Sequence, residues 1–324
     1  MVRSISTGIA IALLAAVSAH AQTWPVRPVT MVVPFAAGGG NDVIARILTP
    51  RMSEVLGQQV VIENIGGAGG VTGAARVAKA APDGYMFVIG NSGTHAQSQT
   101  MHRKPPYNAI TDFAPVVLIG EQPLVLIARP DLPATSLQEF SRHTKANQTK
   151  MQYASAGLGS ATHLACAMIN VAIGADVVHV PFRSGPAATQ ELIAGRIDYQ
   201  CPQSAPVVSL INAKQVKAIA MLSRERAPAL KDLPTAHEQG LANFDAVNWS
   251  GLFLPRNTPP AIVRRLHEAA VAAMNTPAVE RRLRDVGVDL VPPERRSSDY
   301  LAKFVASEVD RWAVPIKAAG IRID

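Results

Sequence analysis

Val29-Thr30-Met31-Val32-Val33-Pro34-Phe35-Ala36-Ala37-Gly38-Gly39-Gly40-Asn41-Asp42 runs an apolar strand into a glycine-rich loop free of lysine and arginine, and the loop opens into a helix expected from about Asp42. Met151-Gln152-Tyr153-Ala154-Ser155-Ala156-Gly157-Leu158-Gly159-Ser160-Ala161 repeats the design, with a helix expected from about Ala161. A helix start leaves backbone N–H groups without intrahelical partners, and the aligned peptide dipoles place partial positive charge there. Such an end can hold a carboxylate or phosphate. Two of them, far apart in the chain, point to a small anion held between two lobes. Gly38, Gly39 and Gly40 permit either sign of φ and keep side chains away from the amides. Asn41 or Asp42 could cap the first helix, and Asp42 could instead bond a hydroxyl or amino group of the ligand. Ser160 could cap the second helix or donate its hydroxyl to a carboxylate.

Working outward, residues 29–35, 60–63, 86–89, 116–119, 124–128, 151–155, 177–180, 216–222 and 251–254 read as strands. Residues 42–56, 73–80, 137–145, 161–173, 186–194, 259–275, 277–286 and 298–318 read as helices. This alternation predicts an α/β architecture with mostly parallel sheets, whose ligands sit beyond the carboxyl ends of the strands, where both glycine loops fall. Thr258 before Pro259 and Thr276 before Pro277 read as helix caps.

Met1 to Ala21 reads as a secretory signal, with Arg3, an apolar core from Ile9 to Val17 and the Ala19-His20-Ala21 cleavage pattern. Cleavage after Ala21 leaves 324 − 21 = 303 residues, a length that favours two lobes. Without Arg3, 30 basic residues face 24 acidic ones, scattered and with no aromatic-interleaved stripe, so nucleic acid is not an expected partner. Cys166 and Cys201 make an even pair in a chain bound for an oxidising compartment, compatible with one disulfide or with two buried thiols.

Enzyme motifs find little support. Gly67-Ala68-Gly69-Gly70-Val71-Thr72-Gly73 departs from the dinucleotide fingerprint and reads instead as a tight approach to the neighbouring lobe. There is no G-x-S-x-G elbow and no P-loop, and His267-Glu268 lacks a second histidine at metalloprotease spacing, so neither metal nor cofactor is expected. His95, His163 and His179 are isolated in sequence. Asn91-Ser92-Gly93-Thr94-His95 after one strand and Phe182-Arg183-Ser184-Gly185 after another offer mainly neutral donors, suited to a carrier that must release its cargo.

A set of motifs runs the length of the mature chain: Trp24-Pro25-Val26-Arg27-Pro28, the Pro34 to Gly39 loop with Asp42 and Arg46, Glu63-Asn64 before Gly66 to Gly73, and Ala81-Pro82-Asp83-Gly84-Tyr85. It continues through Asp112-Phe113-Ala114-Pro115-Val116, Tyr153-Ala154-Ser155 with Gly157, Gly159, Ser160 and His163, Val180-Pro181-Phe182-Arg183, and Gly251-Leu252-Phe253. In this order they resemble the Bug receptors, the periplasmic substrate-binding proteins of tripartite tricarboxylate transporters. The resemblance implies a type II-like periplasmic binding protein: two α/β lobes, each a mixed, mostly parallel sheet flanked by helices, joined by crossing strands and closing on a small carboxylate in the interlobe cleft. It also implies integral membrane transporter subunits as partners and no catalytic residues.

The expected lobes are 22–122 with 248–324, and 123–247, in a monomer. The candidate ligand-binding residues are Phe35, Ala37, Gly38, Gly39, Asn41 and Asp42; Asn91, Ser92, Thr94 and His95; and Ser155, Gly159, Ser160, Ala161, Phe182 and Ser184. A bulky residue at Gly39 is expected to hold the cleft open. Phe182, Ser184 and Ser250 depart from the family's usual Tyr, Gly and larger aromatic, so ligand identity does not carry over from a relative. Two alternatives stay open: a carboxylate sensor acting through a signalling partner, and an exported enzyme using His95 or His163 as base.

Overall fold

The structure, a computed structural model, describes residues 24–323, and the expected signal segment lies outside them. Among the described residues the strands are β1 (Val29–Val33), β2 (Val60–Asn64), β3 (Met86–Asn91), β4 (Phe113–Pro123), β5 (Val125–Ala128), β6 (Gln152–Ser155), β7 (Val178–Pro181), β8 (Tyr199–Gln200), β9 (Lys217–Met221), β10 (Val247–Pro255) and β11 (Asp289–Leu290). They form two sheets, β11-β4-β10-β3-β1-β2 and β7-β6-β8-β5-β9, one per lobe.

Each glycine loop leaves the middle strand of a parallel trio. β1 runs parallel to β2 and β3, and β6 runs parallel to β7 and β8. Antiparallel pairing enters with β10, which lies between β3 and β4, and with β5, which lies between β8 and β9. The sheets are thus mixed, with a larger antiparallel share than alternating strands and helices imply. The extra pairs come from the strands by which the chain crosses between lobes: β4 leads to β5 through Leu124, and the return path enters β10 at Val247.

Helices cover both faces of each sheet. In the first lobe Ile44, Leu48 and Met52 of the helix Gly40–Leu56 pack with Leu266 and Ala270 of the helix Pro260–Met274 against Met31, Ile89 and Leu252. Leu301, Val305 and Trp312 of the helix Ser298–Ala318 cover the other face with Val32, Val88 and Phe253. In the second lobe the helices Leu137–Asn147 and Ala161–Ile173 bury Phe140 and Ile169 on one side, while Leu192 of the helix Gly185–Ile193 seals the other. Cys166 and Cys201 are joined by a disulfide with a Cα separation of 5.5 Å, pinning the helix Ala161–Ile173 to the end of β8.

Two expected caps are not made. Thr258 Oγ1 donates to the Pro255 carbonyl at 2.7 Å and Thr276 Oγ1 to the Ala272 carbonyl at 2.9 Å, so both hydroxyls satisfy the preceding backbone rather than the helix that follows. The first helix begins at Gly40, two residues earlier than expected, because the Asp42 side chain folds back on the loop.

Candidate functional site

Gly38 takes φ +82°, bringing its N–H to Asp42 Oδ2 at 2.8 Å. Asp42 also accepts from Arg46, by Nε at 2.7 Å and by an ω nitrogen at 3.1 Å, and from Asn64 Nδ2 at 2.9 Å. Burial pushes this carboxyl up, but the hydrogen bonds from Arg46, Gly38 and Asn64 outweigh it and hold it below the usual range. Its oxygens are committed to shaping the loop. The N-cap, Gly39, has no side chain to spend on the helix, so the first amides of the helix Gly40–Leu56 are left facing the cleft.

In the second loop Ser160 is the N-cap. Its Oγ accepts from the His163 amide at 3.2 Å and lies 2.7 Å from the Gly157 carbonyl. Thr162 Oγ1 accepts from the Ala156 amide at 2.9 Å, closing the loop onto the helix. Ser184 caps a third helix, Gly185–Ile193, through the Ala187 amide at 3.3 Å.

These three helix starts meet at one cavity. Phe35, Gly39, Gly40 and Asn91 line it from the first lobe, and Ala156, Ser160, Ala161, Thr162, Gly185, Pro202, Gln203 and Pro206 from the second. None of these lining residues carries a formal charge. Three positive helix ends around neutral donors can hold an anion without an arginine or lysine.

The lobes meet along backbone. A Cβ at Gly69 would stand 2.5 Å from the Leu158 carbonyl oxygen and 2.7 Å from the Ser160 nitrogen, and one at Gly93 would lie 3.0 Å from the Ala161 nitrogen. The Gly67 to Gly73 run therefore makes the close approach expected of it, through Gly69. A Cβ at Gly40 would fall 1.7 Å from Gln203 Oε1, whereas one at Gly39 meets only the Ala36 carbonyl oxygen, at an ordinary 3.6 Å. Even a single added carbon would thus obstruct closure at Gly40 and Gly69, whereas at Gly39, which lines the cavity, a methyl group fits and only a larger side chain would intrude. Gln203 Nε2 also reaches Asn41 Oδ1 across the cleft at 3.5 Å.

Of the candidate residues, Phe35, Gly39, Asn91, Ser160 and Ala161 line the cavity. Asn41 braces it, its Nδ2 donating to the Ile89 carbonyl at 3.0 Å, and Gly159 and Ser184 adjoin it. Ala37 and Gly38 are exposed at the rim, and Phe182 is half-buried against the second lobe's core. Ser92 Oγ donates to Asn248 Oδ1 at 2.6 Å, and Thr94 exchanges hydrogen bonds with Asn91 at 3.0 Å, so both stand behind the lining. His95 points away: its ring stacks on Phe253 at 3.9 Å inside the first lobe, and burial pushes its pKa down to about 3.

Ser155 lies 2.7 Å from His179 Nε2 but is buried and absent from the lining. His163 and His179, with ring centroids 4.2 Å apart, are lowered to about 4 and about 3, chiefly by burial, and stay neutral near pH 7. Sequence reasoning missed Thr162 and the Pro202–Pro206 segment, and it left Gly40 and Gly185 out of the candidate ligand-binding residues although both stand in loops it singled out. β8, which introduces that segment, is two residues long and has no readable period. Cys201, directly before Pro202, is the signal that could have drawn attention there.

The model for the tripartite tricarboxylate transporter family receptor matches residues 44–321. The chain belongs to this family. Among solved structures this receptor is similar to the periplasmic binding protein BugD, at 35% identity and TM-score 0.89, over 92% of this chain and 99% of that one. It is also similar to MatC from Rhodopseudomonas palustris with bound malate, at 40% identity and TM-score 0.88, over 90% and 100% of the two chains. An R. palustris protein with adipate is 32% identical, with TM-score 0.87, over 92% and 99%. The receptor's two-lobed α/β fold is that of these periplasmic binding proteins.

Proposed function

We propose that this receptor captures a small carboxylate in the interlobe cavity, in the periplasm after cleavage following Ala21, and presents it to the integral membrane subunits of a tripartite tricarboxylate-type transporter. The observation that carries the reading is the convergence of the helix starts at Gly40, Ala161 and Gly185 on a cavity lined without charge. The malate and adipate in two similar proteins support a carboxylate as cargo. The ligand touches residues of both lobes and favours the closed state by its differential affinity. We take the lobes as residues 22–122 with 248–324, and 123–247, in a monomer that performs no turnover.

The test is the melting temperature of the mature protein across mono-, di- and tricarboxylates, amino acids and aromatic acids. A ligand at a hundredfold excess over its Kd adds about 2.7 kcal/mol, a rise of several degrees. A selective rise with one class of acids is the expected result. No rise with any acid, from protein shown by mass spectrometry to carry no ligand, overturns the carboxylate reading.

A further inference from the structure

Among the described residues, four buried polar atoms without partners lie on two neighbouring strands: Gln122 Nε2 and Oε1 on β4, and Asn248 Nδ2 and Ser250 Oγ on β10. All three residues are 0% exposed. The sheet register places Asn248 opposite Gln122 and Ser250 opposite Asn91. Directly paired residues share a face, as do residues two apart on one strand. Asn91, Ser250, Asn248 and Gln122 therefore form one row on one face of the sheet.

The row reaches the cavity at its Asn91 end, and Gln122, Asn248 and Ser250 continue behind the lining. Asn91 lines it directly, and Gln203, which also lines it, bridges to Leu124 two residues beyond Gln122. Trp249 lies on the opposite face, its Nε1 donating to Glu308 at 2.8 Å, so the charge there is turned away from the row. Asn248 Oδ1 is already occupied by Ser92 Oγ, which holds the amide so that Nδ2 is left over.

Protein interiors seldom leave buried donors and acceptors unmade, because an unmade one costs more than a made one contributes. We propose that Gln122, Asn248 and Ser250 form a hinge-side subsite for the far end of the bound carboxylate, and that this end is an uncharged group that both donates and accepts, a hydroxyl or a primary amide. The subsite rests on the carboxylate reading above. Gln122 offers a donor and an acceptor, Asn248 a donor, and Ser250 either. A second carboxylate here would lose its water without meeting a positive charge or a helix start, and an alkyl end would leave all four atoms unpartnered.

Four acids of equal chain length separate these cases: butyrate, 4-hydroxybutyrate, succinamate and succinate, titrated calorimetrically into ligand-stripped mature protein near neutral pH. The expected result is that 4-hydroxybutyrate and succinamate bind about tenfold or more tighter than butyrate and succinate, since a site built to hydrogen-bond a polar group rejects the analogue lacking it. Ser250→Ala removes only an unpartnered hydroxyl, so it keeps the ligand-free melting temperature while narrowing that preference. Gln122→Leu is the second variant and narrows it further. If all four acids bind within about threefold of one another, or the variants keep the full preference, the row holds ordered water and the subsite is overturned. Absence of binding by all four also overturns it, and the wider acid panel decides the carboxylate reading separately.

Discussion

Gly69 takes φ +64° and faces the second lobe's backbone, with no flexible side chain to give way. Gly69→Ala costs about 1–2 kcal/mol from the left-handed backbone alone. The larger effect falls on closure: ligand affinity, measured by calorimetry, is expected to drop by more than the stability loss explains, and small-angle scattering should find the liganded variant still open. Gly40→Ala meets a side-chain end instead of backbone. Gln203→Ala in the same chain should therefore restore the compact liganded form that Gly40→Ala alone loses. Asp42 is a third residue whose role is local. Asp42→Asn weakens the bonds from Arg46 and Gly38, with an expected loss of about 2 kcal/mol in chemical unfolding and a weaker ligand, since the loop no longer holds its turn.

At the scale of elements, the two strand-loop-helix units are legible in sequence because glycine and the absence of basic residues mark them, and both helices start within two residues of expectation. The crossing strand β10 is half legible. Its apolar end at Gly251 to Leu254 reads as a strand, while Asn248 and Ser250 break the pattern because those two side chains answer to a buried polar row rather than to a core. Pro202 and Gln203 are placed by a long-range link, the Cys166–Cys201 disulfide, which no local period encodes. That link closes a loop with a sequence separation of 35, and chain entropy puts its contribution at about 3–4 kcal/mol. Replacing both cysteines by alanine should lower the denaturation midpoint accordingly. It should also weaken ligand binding, because the helix that starts at Ala161 and the segment that carries Gln203 are no longer held together.

For the whole molecule, three neutral histidines, His95 and His163 buried and His179 half-buried, set an acid limit. Unfolded histidine takes up a proton near 6.5, but His95, His163 and His179 resist it in the fold down to about 3, about 4 and about 3. Between those values the unfolded chain binds more protons, so stability falls as the pH drops from about 6.5 toward 3. At pH 5 His95 alone accounts for about 2 kcal/mol by linkage. The lowered Asp42 carboxyl acts with the same sign at more acid pH. Chemical unfolding at pH 7 and pH 5 should show the loss, with a shallower dependence in a His95→Asn variant. Such a distribution is not legible in the sequence, where the three histidines are merely isolated; only the fold seals one in an aromatic cluster and sets the other two ring to ring.

At Gly69 the seam between the lobes is made of main-chain atoms of Leu158, Gly159 and Ser160, while the cavity proposed for the cargo presents Phe35, Thr162 and Gln203. Shutting and choosing are thereby assigned to different parts of the chain. A change of diet can be written into the few exchangeable side chains of the chamber, while the main-chain stretch of the door frame at Gly69, having no side chains to mismatch, goes on fitting.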